Sequence, residues 1–281
     1  MKLCIKIALF FSLLLVHCDN PFGKDEIKGD NRSISGVVSV SGSRNAAGVY
    51  VWLDILNIGN FTDESGAFTL ILPPSSTLNS TGKVTGDFDL YFYTINHKLV
   101  TKKIIFRDGS VVYGSGDVDA NGTVHNISLF RTFYAETRAT FPLPSNPGEQ
   151  YGLSVTGHFK SSSGSCQINI PNGSMIFLGA IFIIDVESGQ VYKHQLASGR
   201  DEPFIVTLTQ KEQIYAFHPS VGSEITFNKD YIVIPYIFPH HPDVPSGLLA
   251  TLGISEYEIN EKYLSLLFSG TFGTFRRPEE D

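Results

Sequence analysis

"ISGVVSVSGSRNAAGVYVWLDILNIGNFTDESGAFTLILPP", residues 34–74, is the stretch that decides the fold class of this chain. Between Phe61 and Phe68, Asp63 and Gly66 supply turn chemistry, since an aspartate side chain can bond the backbone two residues on and glycine admits a positive φ. Beyond the turn, Phe68, Leu70 and Leu72 recur at every second position and therefore share one face of a strand. Pro73 and Pro74 then end it, because proline has no N–H to give to a ladder. Upstream, Val49, Val51 and Leu53 alternate with Tyr50 and Trp52. If the aliphatic set faces a core, the two aromatics lie side by side on the opposite surface of the sheet.

Working outward, the same grammar repeats. "DFDLYFYTINHKLVTKKIIFRDGSVVYG" and "GTVHNISLFR" supply further strands up to Arg131. From residue 135 onward, "YGLSVTGHF", "SCQINI", "MIFLGAIFIIDV", "QVYKHQLA", "PFIVTLTQ", "EQIYAFHP" and "YIVIPYIF" make seven strand candidates, the count of an immunoglobulin-like sandwich. "FLGAIFIIDV" is apolar on both faces, which predicts a central strand, and it is too short to span a bilayer. The proline-rich "PLPSNPGEQ" reads as the linker between two units. Helical periodicity is confined to "SEYEINEKYLSLLFSG", where Ser255 and Glu258 fit a capping box and Ile259, Tyr263, Leu266 and Leu267 share a face; a strand fits the same run. "RRPEED" at the C-terminus reads as a frayed tail.

Gly36 and Val38, then Gly48, Val49, Val51 and Leu53, then Thr62, Asp63, Gly66, Phe68, Leu70 and Leu72 stand in an order that resembles the carboxypeptidase regulatory-like family. The resemblance covers about forty residues and implies a transthyretin-like β-sandwich. The longer "PPSSTLNSTGKVTGD" replaces that family's tight turn, and no zinc-carboxypeptidase domain accompanies the module, so no enzymatic activity is implied. The expected fold class is thus all-β: two tandem β-sandwich domains, transthyretin-like over 33–131 and immunoglobulin-like over 135–270, with a short C-terminal helix as an option and a tail over 271–281.

The N-terminus carries Lys2 and Lys6 before an apolar run from Ile7 to Val16, a secretory signal by charge and length. Leu15, Val16 and His17 lead into Cys18 and resemble the lipobox of bacterial lipoproteins, with His17 departing from the small residue usual at that place. The resemblance implies a signal peptide over 1–17, diacylation of Cys18, and an envelope protein anchored by lipid, at the outer membrane or cell surface. Residues 18–32 are charged and nearly free of apolar side chains, which predicts a flexible tether. With Cys4 removed and Cys18 lipidated, Cys166 alone remains, so core burial has to hold the fold together.

The net charge is −7, and −9 once Lys2 and Lys6 leave with the signal. A chain so acidic, without a basic stripe, excludes nucleic acid as a partner. "DVDANG", residues 117–122, matches the start of a calcium loop but has Ser128 where the twelfth-position glutamate belongs; an Asx-rich turn is the better reading. His240 and His241 in "PHHPD" are adjacent on extended chain and point opposite ways, with no third ligand in sight. No G-x-S-x-G elbow is present. Neither a metal nor a cofactor is expected. Six N-x-S/T sequons, at Asn31, Asn60, Asn79, Asn121, Asn126 and Asn172, admit a rival secreted-glycoprotein reading.

Two functional readings remain. The preferred one is a non-catalytic, membrane-anchored binding or scaffolding module for a protein or glycan, with Tyr50 and Trp52 or an inter-domain groove as the contact surface. The other is an envelope hydrolase or accessory subunit, which requires His218, His240, His241 or the Asp117 loop to converge in one cleft.

Overall fold

The computed structural model describes residues 32–74, 84–141, 152–196, 204–219, 221–277 and 279. Its fold is all-β, with one short α-helix among the described residues.

Among the described residues, eight strands build the N-terminal half: β1 (Ser33–Val40), β2 (Tyr50–Leu53), β3 (Ile58–Phe61), β4 (Ala67–Ile71), β5 (Gly86–Tyr93), β6 (Val100–Arg107), β7 (Ser110–Val111) and β8 (Thr123–Leu129). They form two sheets, ordered β4-β1-β8 and β3-β2-β5-β6-β7. The core between them holds Ile34, Val38, Phe68 and Leu70 from one side and Val51, Leu53, Phe92 and Ile104 from the other. Gly36 is required where β1 passes Phe68, since a Cβ there would lie 2.8 Å from the ring and 2.7 Å from the Val124 carbonyl.

The turn at Asp63 has the chemistry its sequence dictates but a different role from a simple hairpin. Asp63 Oδ1 accepts the backbone N–H of Ser65 at 2.9 Å and of Ala67 at 3.0 Å. Those bonds, led by the Ser65 hydroxyl, hold its carboxyl below the usual carboxylate range. The strands it joins belong to different sheets: β3 pairs with β2, and β4 pairs with β1. The turn therefore carries the chain from one layer of the sandwich to the other, closed by the Val38 N–H on Gly66 O at 2.9 Å.

Ten strands follow among the described residues: β9 (Phe133–Thr140), β10 (Ser154–Ser161), β11 (Cys166–Ile170), β12 (Ala180–Asp185), β13 (Val191–Gln195), β14 (Phe204–Leu208), β15 (Gln213–Phe217), β16 (Asp230–Pro235), β17 (Phe238–Pro239) and β18 (Thr274–Arg276). Their sheets run β15-β10-β9, β14-β11-β17 and β13-β12-β16-β18 around a second core containing Phe133, Phe159, Ile168, Ile181 and Tyr231. All seven segments expected as strands contain one. β12 sits between β13 and β16, with Ile181 and Ile183 in the second core and Ala180 and Phe182 in a third, which explains why its sequence is apolar on both faces.

Three expectations are corrected. "PLPSNPGEQ" lies outside the described residues, but the strands on either side of it, β9 and β10, are neighbours in one sheet, paired from Ser154↔Thr140 to Ser161↔Phe133, and do not belong to two units. The helix is α1 (Ser246–Leu252), which ends at Gly253 with φ 66°; the periodic run after it gives only a 3₁₀ turn over Glu261–Ser265. Tyr263 and Leu266 are buried there, so the apolar spacing reflects packing against neighbouring sheets and not an α-helical face. The tail expected from residue 271 instead adds β18 to β16, with Phe275 stacked on Tyr231 at 5.3 Å and Arg276 paired to Asp230 at 2.6 Å.

At the end of β12, Asp185 is buried and accepts the N–H of Ser188 at 3.0 Å, the Lys229 ammonium at 3.0 Å and the N–H of Glu187 at 2.9 Å. These bonds, the Ser188 N–H first, pull its pKa down to about 2. A carboxylate depressed in the folded state stabilises the protein above the unfolded value of about 3.9 and ceases to do so as pH falls toward the folded one. Urea titrations should find Asp185→Asn less stable than the parent at neutral pH, with the gap closing between about pH 4 and about pH 2.

Candidate binding cleft at the junction of the two halves

The face of β2 that carries Tyr50 and Trp52 is not open. The two rings are 5% and 4% exposed, packed in the third cluster with Tyr93, Phe182, Tyr236, Phe238, Leu248 and Tyr263. Alternation placed them correctly opposite Val51, but the outer sheet of the C-terminal half and α1 cover them. Trp52 Nε1 donates to Asn57 Oδ1 at 3.2 Å, and the Thr251 hydroxyl from α1 donates to the same oxygen. As a platform for ligand the pair is therefore covered, because the largest apolar surface of the first half is used to join it to the second.

The C-terminal segment stitches the junction. Leu267 N–H bonds Gly48 O at 2.8 Å, Asn96 Nδ2 donates to Ser269 O at 2.7 Å, and Thr271 N–H bonds Ala135 O at 3.1 Å. Beside this strap the two halves leave a concave cleft of about 570 Å³. One wall is the outer face of β9 and β10; the rim is the turn at Gly42, Ser43 and Arg44; the strap, residues 267–271, closes the far side.

Strand alternation assigns the wall. On β9, Phe133, Ala135 and Thr137 point into the second core and leave Tyr134, Glu136 and Arg138 outward. Register sets Lys160 opposite Tyr134 and His158 opposite Glu136. Tyr134 is 44% exposed, with the Arg131 guanidinium 5.0 Å and the Lys160 ammonium 5.5 Å from its ring centre. Arg131 is held in place at both ends: its backbone N–H donates to Ser41 Oγ at 2.8 Å and its Nη2 to Gly42 O at 3.1 Å. Position 42 has φ 76°, and a Cβ there would come within 2.7 Å of Nη2, so glycine makes room for the guanidinium.

The acidic groups of the wall are already engaged. Glu136 Oε1 accepts from Arg138 Nε at 2.7 Å, which lowers the pKa of that carboxyl. Glu212 Oε2 lies 3.2 Å from His158 Nδ1, and His158 Nε2 lies 3.1 Å from Thr156 Oγ1. A glycosidase acid needs its pKa raised so that it stays protonated at neutral pH, and Glu136 is driven the other way.

The residues singled out from sequence for chemistry do not converge here. His218 is exposed on the chain after β15, while His240 and His241 are half-buried beyond β17, and none lines the cleft. Burial lowers the His241 pKa and favours its neutral form. In the loop over 117–122, Asp119 Oδ1 accepts the N–H groups of Asn121 and Thr123 at 2.8 Å while its Oδ2 meets His125 at 2.8 Å, and Asp117 Oδ2 accepts the Lys103 N–H at 2.6 Å. This is the Asx-turn arrangement, with the would-be ligand oxygens taken by backbone N–H groups and by the His125 ring. Among the described residues no group of three His, Cys, Asp or Glu side chains is placed to hold a metal ion, and no helix is long and apolar enough to cross a membrane. Cys18 lies outside the described residues.

Arg131 and Tyr134 fall where the sequence reads as a boundary between units, and His158 and Lys160 join them only through the pairing of β10 with β9. The alternation of "FYAETRAT" was the available signal.

No family model matches the chain, and no curated protein does. Among solved structures it is similar to a candidate carbohydrate-binding protein from Bacteroides uniformis, at 12% identity over 73% of this chain and 88% of that one, with a TM-score of 0.30. It is also similar to a DUF3823 family protein from Bacteroides ovatus, at 12% identity over 72% and 88% and a TM-score of 0.26. The shaft pilin SpaA of Lactobacillus rhamnosus GG matches over 89% of this chain and 98% of its own, at 9% identity and a TM-score of 0.26.

Proposed function

We propose that this chain is a non-catalytic binding module of the cell envelope, two β-sandwich units held to the membrane by a lipid on Cys18, whose cleft around Tyr134 receives a glycan. The observation that carries this reading is the cleft's combination of size and lining. At about 570 Å³ it lies within the roughly 300–1,000 Å³ typical of small-ligand sites, and its wall is polar around one exposed aromatic ring. Such a surface matches a polyhydroxylated ring, with a C–H face for the tyrosine and hydroxyls for the side chains around it. A protein partner would need a flatter patch of about 800 Å². Glu136, fixed as an anion by Arg138, speaks against hydrolysis in the same place.

Tyr134→Ala should weaken glycan binding about tenfold, the effect of losing one ring contact, with thermal stability nearly unchanged because the side chain lies on the surface. Titration calorimetry of the full ectodomain against envelope glycans reads this; equal affinity in parent and variant would remove the cleft from the reading. For the anchor, mass spectrometry of the membrane fraction should find a lipid adduct on Cys18 that Cys18→Ala abolishes together with membrane retention. An unmodified cysteine in the parent would sink the localisation.

A further inference from the structure

Resting on the glycan reading of this cleft, we infer that the saccharide it takes is acidic, carrying a carboxylate or sulfate that seats between Arg131 and Lys160. The inference comes from which charges in the cleft are already used. Glu136 is ion-paired to Arg138 at 2.7 Å, and Glu212 is held by a hydrogen bond with His158 Nδ1 at 3.2 Å, which neutralises it only when that imidazole is protonated. Among the described residues Arg131 and Lys160 enter no ion pair, although both flank the same ring. Arg44 adds a third positive charge at the rim. In a chain of net charge −7, cations outside any ion pair at a concave surface are the exception to the general field, although Lys160 also feels the Glu136 carboxylate across β9 and β10.

Geometry adds a second argument. Arg131 is oriented before any ligand arrives: Ser41 fixes its backbone, the Gly42 carbonyl holds one terminal nitrogen, and the Tyr134 ring lies beside the guanidinium. Its Nε is buried and has no hydrogen-bond partner among the described residues, so only the terminal nitrogens face the cleft for a ligand. A guanidinium held in place can give a charge-assisted bond from its terminal nitrogens to a carboxylate or sulfate, and Lys160 supplies a point charge across the ring. A neutral saccharide would use the ring and leave both cations idle.

The test uses the full ectodomain and three probes: an oligogalacturonate, the same oligomer fully methyl-esterified, and a sulfated oligosaccharide of equal length. Titration calorimetry should find at least one acidic probe binding about tenfold or more tightly than the ester, the effect of one charge-assisted pair, and weakening as salt is raised. Which acidic probe binds assigns carboxylate or sulfate. Arg131→Gln and Lys160→Gln should each bring the ratio of acidic to ester affinity toward one; Lys160 is exposed, so that variant reports on charge even if the arginine change disturbs the Gly42 turn. Equal binding of acid and ester, abolished by Tyr134→Ala, would overturn the acidic-ligand inference and leave the glycan reading standing. Binding of none of the three would overturn both.

Discussion

Trp52→Ala is expected to destabilise the protein by about 3–5 kcal/mol, the cost of truncating a fully packed aromatic side chain. The ring lies 5.6 Å from Tyr91 and against α1, where even a Cβ at Gly247 would approach it to 3.2 Å. Its loss leaves a cavity at the centre of the junction and strips Asn57 of one donor. Because the ring sits between the halves and not inside either, the parent should unfold in one transition in urea and the variant in two, the halves having lost the surface that couples them. A loss below about 1 kcal/mol would be that of a surface position, and would mean that the junction is open in solution with Tyr50 and Trp52 on a free face after all.

The second large effect concerns Gly66. Here φ is 82°, and a Cβ would lie 2.1 Å from the Val38 carbonyl oxygen, a backbone atom of β1 that cannot swing away. Gly66→Ala therefore combines left-handed strain with forced displacement of β1 from β4, together about 3 kcal/mol or more. Gly189 provides the control. Its φ is 72° with nothing within 4 Å of a built Cβ, so Gly189→Ala should show the conformational cost alone, about 1–2 kcal/mol. Denaturation of the two variants side by side separates clash from strain; equal losses would mean that the Asp63 turn can shift and does not fix the two layers.

Residue-by-residue legibility followed from how local each feature was. Phe68, Leu70 and Leu72 were readable as core because alternation along a single strand decides a face, and all three are buried. The partner of their strand was not readable: the Asp63 turn looks the same whether it closes a hairpin or crosses between layers, and only the pairing of β4 with β1 and β3 with β2 distinguishes the two. The cleft was the least legible part. Arg131 with Tyr134, then Lys160, Glu212 and the strap over 267–271 come from four separate stretches of the chain, and no motif spacing joins them.

By itself the sequence determined the all-β class, the strand segments and the two faces of β2, because the two-residue period of a strand is written in adjacent side chains. What lies against each face was decided only in three dimensions. The same alternation that turned Tyr50 and Trp52 away from the first core would suit an exposed platform or a buried junction equally well. The apolar outer face of β12 and β16, with α1 and Tyr263, made it a junction, because burying two large apolar surfaces against each other removes both from water. That burial in turn moved the candidate site from the aromatic pair to the polar cleft beside it, at Tyr134.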